Sequence, residues 1–210
     1  MSIPKVHYAI SFRGKKNSYL VEYEDKKIKD LKESMFLVTQ YATKFFESSS
    51  LDTEQGKSIG MTYFKERGFT EETINKFALG YAPEKFDSFA KQSQKDGYQL
   101  EFLERTGLVI VNEGKQVDRF RGRVIFPIRN IKGDFIAMGG RIIDEGEPKY
   151  LNSPETSFFN KSNELFGLYE VKELEKNIAS LIVVEGYMDV IGLYEHGITN
   201  AVATLGTAVT

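Results

Sequence analysis

The chain has 210 residues, 41% hydrophobic and 28% charged, a composition that sustains one or two globular domains with a sizeable core and excludes an extended polar tail. Cysteine is absent, which excludes disulfides, thiol nucleophiles and Cys-ligated zinc, and with His7 and His196 as the only histidines, histidine metal clusters and Ser-His triads are not expected. No apolar run reaches the ~18 residues of a membrane span, and SIPKVHYAIS after Met1 lacks a signal core, so a cytoplasmic address with no membrane partner is expected.

Residues 1–30 carry the stretches YAISF and SYLVEY around the turn-like RGKKNS, which predicts a β-hairpin. Over 30–50, Leu31, Met35, Val38, Tyr41, Ala42 and Phe45 recur at three- and four-residue steps, predicting an amphipathic helix. A second helix is expected over 55–67 with Gly68 as its stop, and Thr70 followed by Glu71 and Glu72 predicts the capped start of a third through about 77. Residues 79–83 read as the turn that closes it. Short helices are expected over 86–95 and 101–106.

From Leu108 the pattern changes to short apolar runs, LVIV, RVIFPI and FIAMGGRII, separated by Asn112-Glu113-Gly114 and Lys132-Gly133-Asp134, which predicts a β-meander. A helix over 168–177, a strand LIVVEG at 181–186, a helix over 188–196 and a strand NAVATLG at 200–206 follow. Strand, helix, strand is a βαβ unit, so a parallel sheet is expected at the C-terminal end and the fold class is α/β.

The net charge of −2 is unevenly placed. Between Lys115 and Lys149 eight basic residues stand against five acids, whereas from Tyr150 onward three lysines stand against eight acids. A basic segment beside an acidic one suits a protein that holds a polyanion on one part and a divalent cation on the other, although ordinary solvated faces give the same tally.

Three constellations carry candidate chemistry. In LIVVEGYMD the four aliphatics predict a strand buried on both faces, placing Glu185 at its carboxyl end, where open α/β sheets bind ligands, with Asp189 in the first turn of the next helix. Two carboxylates in one crevice can bind Mg²⁺ or move a proton; Asp189 is equally placed to interact with the helix dipole. In DRFRGRVIFPI, Arg119, Arg121 and Arg123 alternate, so in a strand they share one face that can follow phosphates, or one of them pairs with Asp118. In GGR and PKYLNSPET, glycines exposing backbone beside Arg141, with Lys149, Tyr150 and Asn152, combine phosphate clamps, a stacking ring and hydrogen-bonding groups.

The order DRFRGRVIFPI, GGR, PKYLNSPET, FGLYE, VVEGYMDVIGLYEHGI and LGTAVT resembles the RNA-polymerase core of bacterial replicative DNA primases, the DnaG family, and YFKERGF with FALGYAP resembles its helical entry segment; the likeness runs over about 32–210. The resemblance implies an unassigned segment 1–30, a primase core subdomain 31–170 with helices and a β-meander, and the first βαβ of a Toprim subdomain at 171–210. It implies Glu185 and Asp189 at a catalytic centre using Mg²⁺ or Mn²⁺, with Arg67, Arg141 and Lys149 on the adjoining surface for template and nucleotide, and Tyr150 and Asn152 beside it. The implied reaction joins ribonucleoside triphosphates into an RNA primer on single-stranded DNA at the replication fork, passing through an RNA–DNA hybrid. A replicative helicase is the implied partner, through a region not contained here.

The family's Cys/His zinc ribbon is missing from a chain without cysteine, and no Asp-x-Asp occurs to supply the family's later metal ligands. The chain is therefore expected to be truncated at both ends relative to the family and inactive alone. Rival readings are a non-catalytic single-strand-binding module, whose binding survives Glu185→Gln; another Toprim enzyme, such as a topoisomerase or nuclease; and a structural fragment with an open sheet edge.

Overall fold

A computed structural model describes residues 18–206. Its first element is helix α1 (Ser18–Asp52), in which Met35, Val38, Ala42 and Phe46 recur every three or four residues and are buried. The hairpin expected over 1–30 is corrected for its second half: residues 18–30 open this helix, since the Glu-, Lys- and Leu-rich run EYEDKKIKDLKE favours helix and continues into the buried stripe. Its first half, 1–17, lies outside the described residues. A π-helical stretch (Gly56–Met61) then runs into α2 (Thr62–Glu66), and Gly68 ends it at φ +82°, a conformation that favours glycine.

Helix α3 (Glu71–Lys76) starts at Thr70, whose hydroxyl accepts from the Thr73 amide, as the capping pattern implies. The segment read as a closing turn instead holds strand β1 (Gly80–Ala82), which pairs antiparallel with β4 (Arg123–Arg129). Helices α4 (Ser88–Lys95) and α5 (Leu100–Arg105) stand where expected. The LVIV run, however, is not in one meander with RVIFPI: β2 (Val109–Asn112) pairs with β3 (Lys115–Asp118) as a separate two-stranded sheet. The meander proper is β4, β5 (Phe135–Ile142) and β6 (Tyr150–Asn152), giving the antiparallel order β1-β4-β5-β6.

Strand β4 is buried along nearly its whole length because both faces of this sheet are covered. On one face Val124, Phe126 and Ile128 pack with Phe64, Phe77, Phe166 and Ile191; on the other, Ile125 packs with Met138, Phe120, Phe46 and Phe89. The C-terminal layer comprises β7 (Leu165–Phe166), α6 (Leu168–Leu174), β8 (Ile182–Val184), α7 (Tyr187–Glu195) and β9 (Ala201–Thr204). Strands β8 and β9 pair in parallel, β7 pairs antiparallel with β9, and the order is β7-β9-β8. The expected βαβ unit and the α/β class are therefore present.

One expectation about this unit is corrected. Strand β8 is not buried on both faces but has one strand neighbour among the described residues, and Val183 is 62% exposed and Ile182 42%.

Asp118 pairs with neither flanking arginine. Its carboxylate accepts from the Phe89 and Ala90 amides at 2.7 and 2.9 Å and so caps α4, whose preceding residue Asp87 makes no side-chain cap bond. Burial, partly offset by those two amides, pushes the Asp118 carboxyl up to about 6. That lies above the ~3.9 of an unfolded aspartate, so between these values the folded chain binds more protons and this group's contribution to stability falls as pH rises. Asp118→Asn is expected to lower stability by removing one of the two amide acceptors and to flatten the profile in that window, as read by urea unfolding at several pH values. An unchanged slope would refute the assignment.

Candidate active site and nucleic-acid interface

The strand–helix junction at the carboxyl end of β8 presents both predicted carboxylates. Glu185 and Asp189 are exposed, not sunk among the aliphatics, and line one pocket of about 700 Å³ together with Tyr150, Asn152, Tyr187 and the loop 204–206. Two segments far apart in sequence, PKYLN and EGYMD, thus meet in one crevice. Asp189 also serves as a helix N-terminal acid: its carboxylate accepts from the Gly186 amide at 3.1 Å. Among the described residues no group of three or more Asp, Glu or His side chains is placed to hold a metal. Glu185 and Asp189 offer oxygen donors of the type Mg²⁺ and Mn²⁺ take, but only two such side chains.

Beside this crevice runs a ladder of arginines and tyrosines. Arg67 lies 5.1 Å from the Tyr63 ring, Arg141 lies 5.2 Å from the same ring and 5.5 Å from Tyr150, and the Tyr150 and Tyr187 rings are 6.5 Å apart. Arg141 donates to the Tyr63 hydroxyl, while its buried Nε has no partner among the described residues. Antiparallel register explains the contact with Tyr150, since Arg141 on β5 is paired with Tyr150 on β6. Each cation–π contact contributes about 0.5–1 kcal/mol at such partly exposed sites and, more to the point, fixes the guanidinium plane. The sequence places Tyr63 in the apolar stripe of a helix and gives it no role in the site; its four-residue spacing from Arg67 on that helical segment is the signal that points to one.

The other basic residues divide. Lys149 is exposed and Arg121 is exposed, but residues 119–122 form a turn, so the three arginines do not share a strand face. Arg119 donates to the Asn152 carbonyl at 3.4 Å and Arg123, buried, to the Lys149 carbonyl at 3.3 Å; both brace the β6 region. The glycines also work differently from expectation. Gly139 and Gly140 do not bare their backbone to a ligand: a Cβ on Gly139 would stand 2.5 Å from the Tyr187 ring, and one on Gly140 2.7 Å from Phe120. They admit aromatic rings against β5.

Tyr187, the first residue of α7, is another group that sequence reasoning passed over. Its ring stacks on Phe126 at 5.2 Å and 15°, meets Phe166 edge-on at 4.8 Å, and its hydroxyl donates to Asn152 Oδ1 at 2.6 Å. Burial holds the phenol well above its ordinary pKa, so it remains a donor throughout the physiological range.

Fold and site together define a Toprim-bearing α/β protein with an arginine- and tyrosine-lined face next to paired carboxylates. The model of the DNA primase catalytic core, N-terminal domain, matches residues 45–172, and that of the Toprim domain matches residues 179–210. The chain belongs to the DnaG family of DNA primases. The DNA primase of Pseudomonas aeruginosa is 47% identical over 165 residues, covering 78% of this chain and 25% of the relative. That of Halalkalibacterium halodurans is 43% identical over 180 residues, covering 85% and 30%. A solved DnaG primase catalytic domain bound to ssDNA superposes with a TM-score of 0.81 at 38% identity, covering 87% of this chain and 58% of that one; a primase domain from Pseudomonas aeruginosa gives 0.79 at 44%, covering 84% and 55%. The chain thus spans a quarter to a third of the curated relatives it matches. No helix among the described residues is long and apolar enough to cross a membrane.

Proposed function

We propose that this chain carries the template-holding face and the first carboxylates of a centre that joins ribonucleoside triphosphates into RNA primers on single-stranded DNA. The observation that carries this reading is the common pocket of Tyr150, Asn152, Glu185 and Asp189, adjoined by the Arg67–Tyr63–Arg141 ladder. Beside this pocket Arg67, Arg141 and Lys149 hold phosphates, with Arg121 exposed on the 119–122 turn as a further cation for the strand; the Tyr150 ring offers a stacking face, and Arg119 and Arg123 brace the strand behind it. Glu185 and Asp189 would hold Mg²⁺ or Mn²⁺, which when bound would offset the charge of the transferring phosphates. The bound-DNA relative supports single-stranded DNA as the ligand class. Nucleotides, the RNA–DNA hybrid and the helicase rest on the family resemblance. So do the divisions 1–30, 31–170 and 171–210, with β7 joining the C-terminal sheet from just before the last of them.

Two carboxylates under-ligand a hard cation, which favours a second reading for the chain by itself: it binds single strands without polymerising. Both readings are tested by titrating fluorescent single-stranded DNA at two salt concentrations, with and without Mg²⁺. Arg141→Ala/Lys149→Ala is expected to weaken binding at least tenfold in low salt and to shallow the salt dependence by about two phosphate contacts. Glu185→Gln leaves that binding in place but abolishes any dependence on Mg²⁺. Wild-type binding that is absent or insensitive to salt would overturn the template-holding face.

A further inference from the structure

Asn152 stands among residues expected to touch nucleic acid, yet its side chain is engaged by the protein at both ends. Oδ1 accepts from the Tyr187 hydroxyl at 2.6 Å and Nδ2 donates to the Leu205 carbonyl at 2.9 Å. Tyr187 lies between Glu185 and Asp189, as the first residue of α7 just after β8; Leu205 lies just beyond β9. One amide therefore joins the two adjacent loops at the carboxyl end of the parallel pair, the end where such sheets place their ligands.

We propose that Asn152 is a positioning residue, acting through Tyr187 and Leu205 to hold the carboxylate-bearing turn and the 204–206 loop at a fixed separation, and is not itself a nucleic-acid contact. The inference deepens the proposed reading of this pocket and rests on it for its consequence in metal binding, but the clamp itself stands on geometry alone.

The anchor is rigid. Asn152 pairs with Gly139 on β5, and Ser153 next to it donates from its amide to the Met138 carbonyl at 2.8 Å while its hydroxyl accepts from the Met138 amide at 3.0 Å. The Asn152 carbonyl accepts from Arg119. The clamp is thus referenced to the buried central sheet and not to a loop, and Gly139 opposite it leaves the space through which Tyr187 reaches. The chemistry is specific to an amide: aspartate keeps an acceptor for Tyr187 but faces the Leu205 carbonyl without a donor, and leucine of similar volume supplies neither. Groups hydrogen-bonded to a metal's own ligands change its affinity by about 10–100-fold when removed; Asn152 stands one residue further back, through Tyr187, so the lower end of that range is expected.

The test is hydrogen–deuterium exchange of the 210-residue chain without DNA or metal, comparing wild type with Asn152→Ala, Asn152→Asp and Tyr187→Phe. Asn152→Ala is expected to speed exchange about tenfold in both 185–190 and 203–206 while α1 and β4 stay as in wild type. Tyr187→Phe speeds only the first segment and Asn152→Asp mainly the second, a split that general destabilisation does not produce. A uniform rise across the chain, or no rise in either loop, would overturn the clamp. If Asn152→Ala folds too poorly to compare, the other two variants decide by the same split. In a second arm, Mn²⁺ titration should show Asn152→Ala about tenfold weaker than wild type, with affinity for a fluorescent single strand changed less than twofold. The reverse pattern, DNA affinity lost with loops and Mn²⁺ unchanged, makes Asn152 a direct contact and overturns the proposal. A wild-type chain that binds no Mn²⁺ defeats the metal reading instead, and the clamp is then judged on exchange alone.

Discussion

Arg129→Met is expected to cost about 3–5 kcal/mol at neutral pH, and distinctly less in mild acid, because it strands a buried carboxylate. Arg129 ends β4 and its Nη1 lies 3.2 Å from Glu170 Oε1 on α6, with both side chains largely shielded from water. The guanidinium is further framed by Phe135 at 4.5 Å and Tyr169 at 5.0 Å. Burial already raises the Glu170 carboxyl above its ordinary value, with Arg129 as the chief opposing influence. Without that opposition the folded-state value climbs further, so over a wider range above the ordinary glutamate value the folded chain binds more protons than the unfolded one. Stability of the variant therefore falls as pH rises through that range and is recovered as pH drops to the ordinary carboxylate value. Urea unfolding between mild acid and neutrality reads this directly. Arg129→Met/Glu170→Leu should regain most of the loss, since no charge is left buried. A loss independent of pH, or a double variant no better than the single, would show that Arg129 acts through its packing alone.

This pair belongs to a set that joins the C-terminal layer to what precedes it. Glu195 on α7 accepts from the Thr70 amide and hydroxyl at 3.2 and 3.3 Å at the start of α3, and Asn152 on β6 grips Tyr187 on α7. Such long-range pairings leave no trace in local sequence, and they mark where the reading of the chain succeeded and failed. The amphipathic stripe of α1, the Thr70 cap, the Gly68 stop and the βαβ unit were legible because each is a local pattern with its own period or turn chemistry. Strand β1 was not: three residues, Gly80-Tyr81-Ala82, before a proline offer turn residues and no period, and only pairing with β4 makes them a strand. Alternation of Arg119, Arg121 and Arg123 misled because period two presupposes an unbroken strand, and Gly122 at φ +65° breaks it. LIVV was legible as a strand but not as an exposed one, since burial depends on neighbours that the run itself does not specify. The site shows the same division. Glu185 and Asp189 follow from their place at a strand end, whereas Tyr63 and Tyr187 gain their roles from rings and guanidiniums brought near by other elements.

Tyr187→Ala tests the most central of those contacts, with an expected loss of about 3–5 kcal/mol against about 1 kcal/mol for Tyr187→Phe, which gives up only the hydroxyl. The ring is 5% exposed, lies between Phe126 of the central sheet and Phe166 of the C-terminal layer, and closes over Gly139. Removing it opens a void between two layers that α7 otherwise ties together, and frees the strand–helix junction that carries Glu185 and Asp189. Gly139 supplies the internal check. In wild type, Gly139→Ala should cost about 1–3 kcal/mol because its Cβ and the Tyr187 ring claim the same space. In the Tyr187→Ala background that conflict is gone, and the added methyl fills part of the void, so the same substitution is expected to be neutral or mildly stabilising. A double-mutant cycle by urea unfolding measures the coupling, and strictly additive losses would mean that ring and glycine do not meet as described. The physical point is that a glycine resembling a ligand-approach signal is explained by a tyrosine 48 positions later that needs the room. That tyrosine needs it because its hydroxyl must reach across β5 to Asn152 while its backbone starts the helix that carries Asp189, two residues after Glu185.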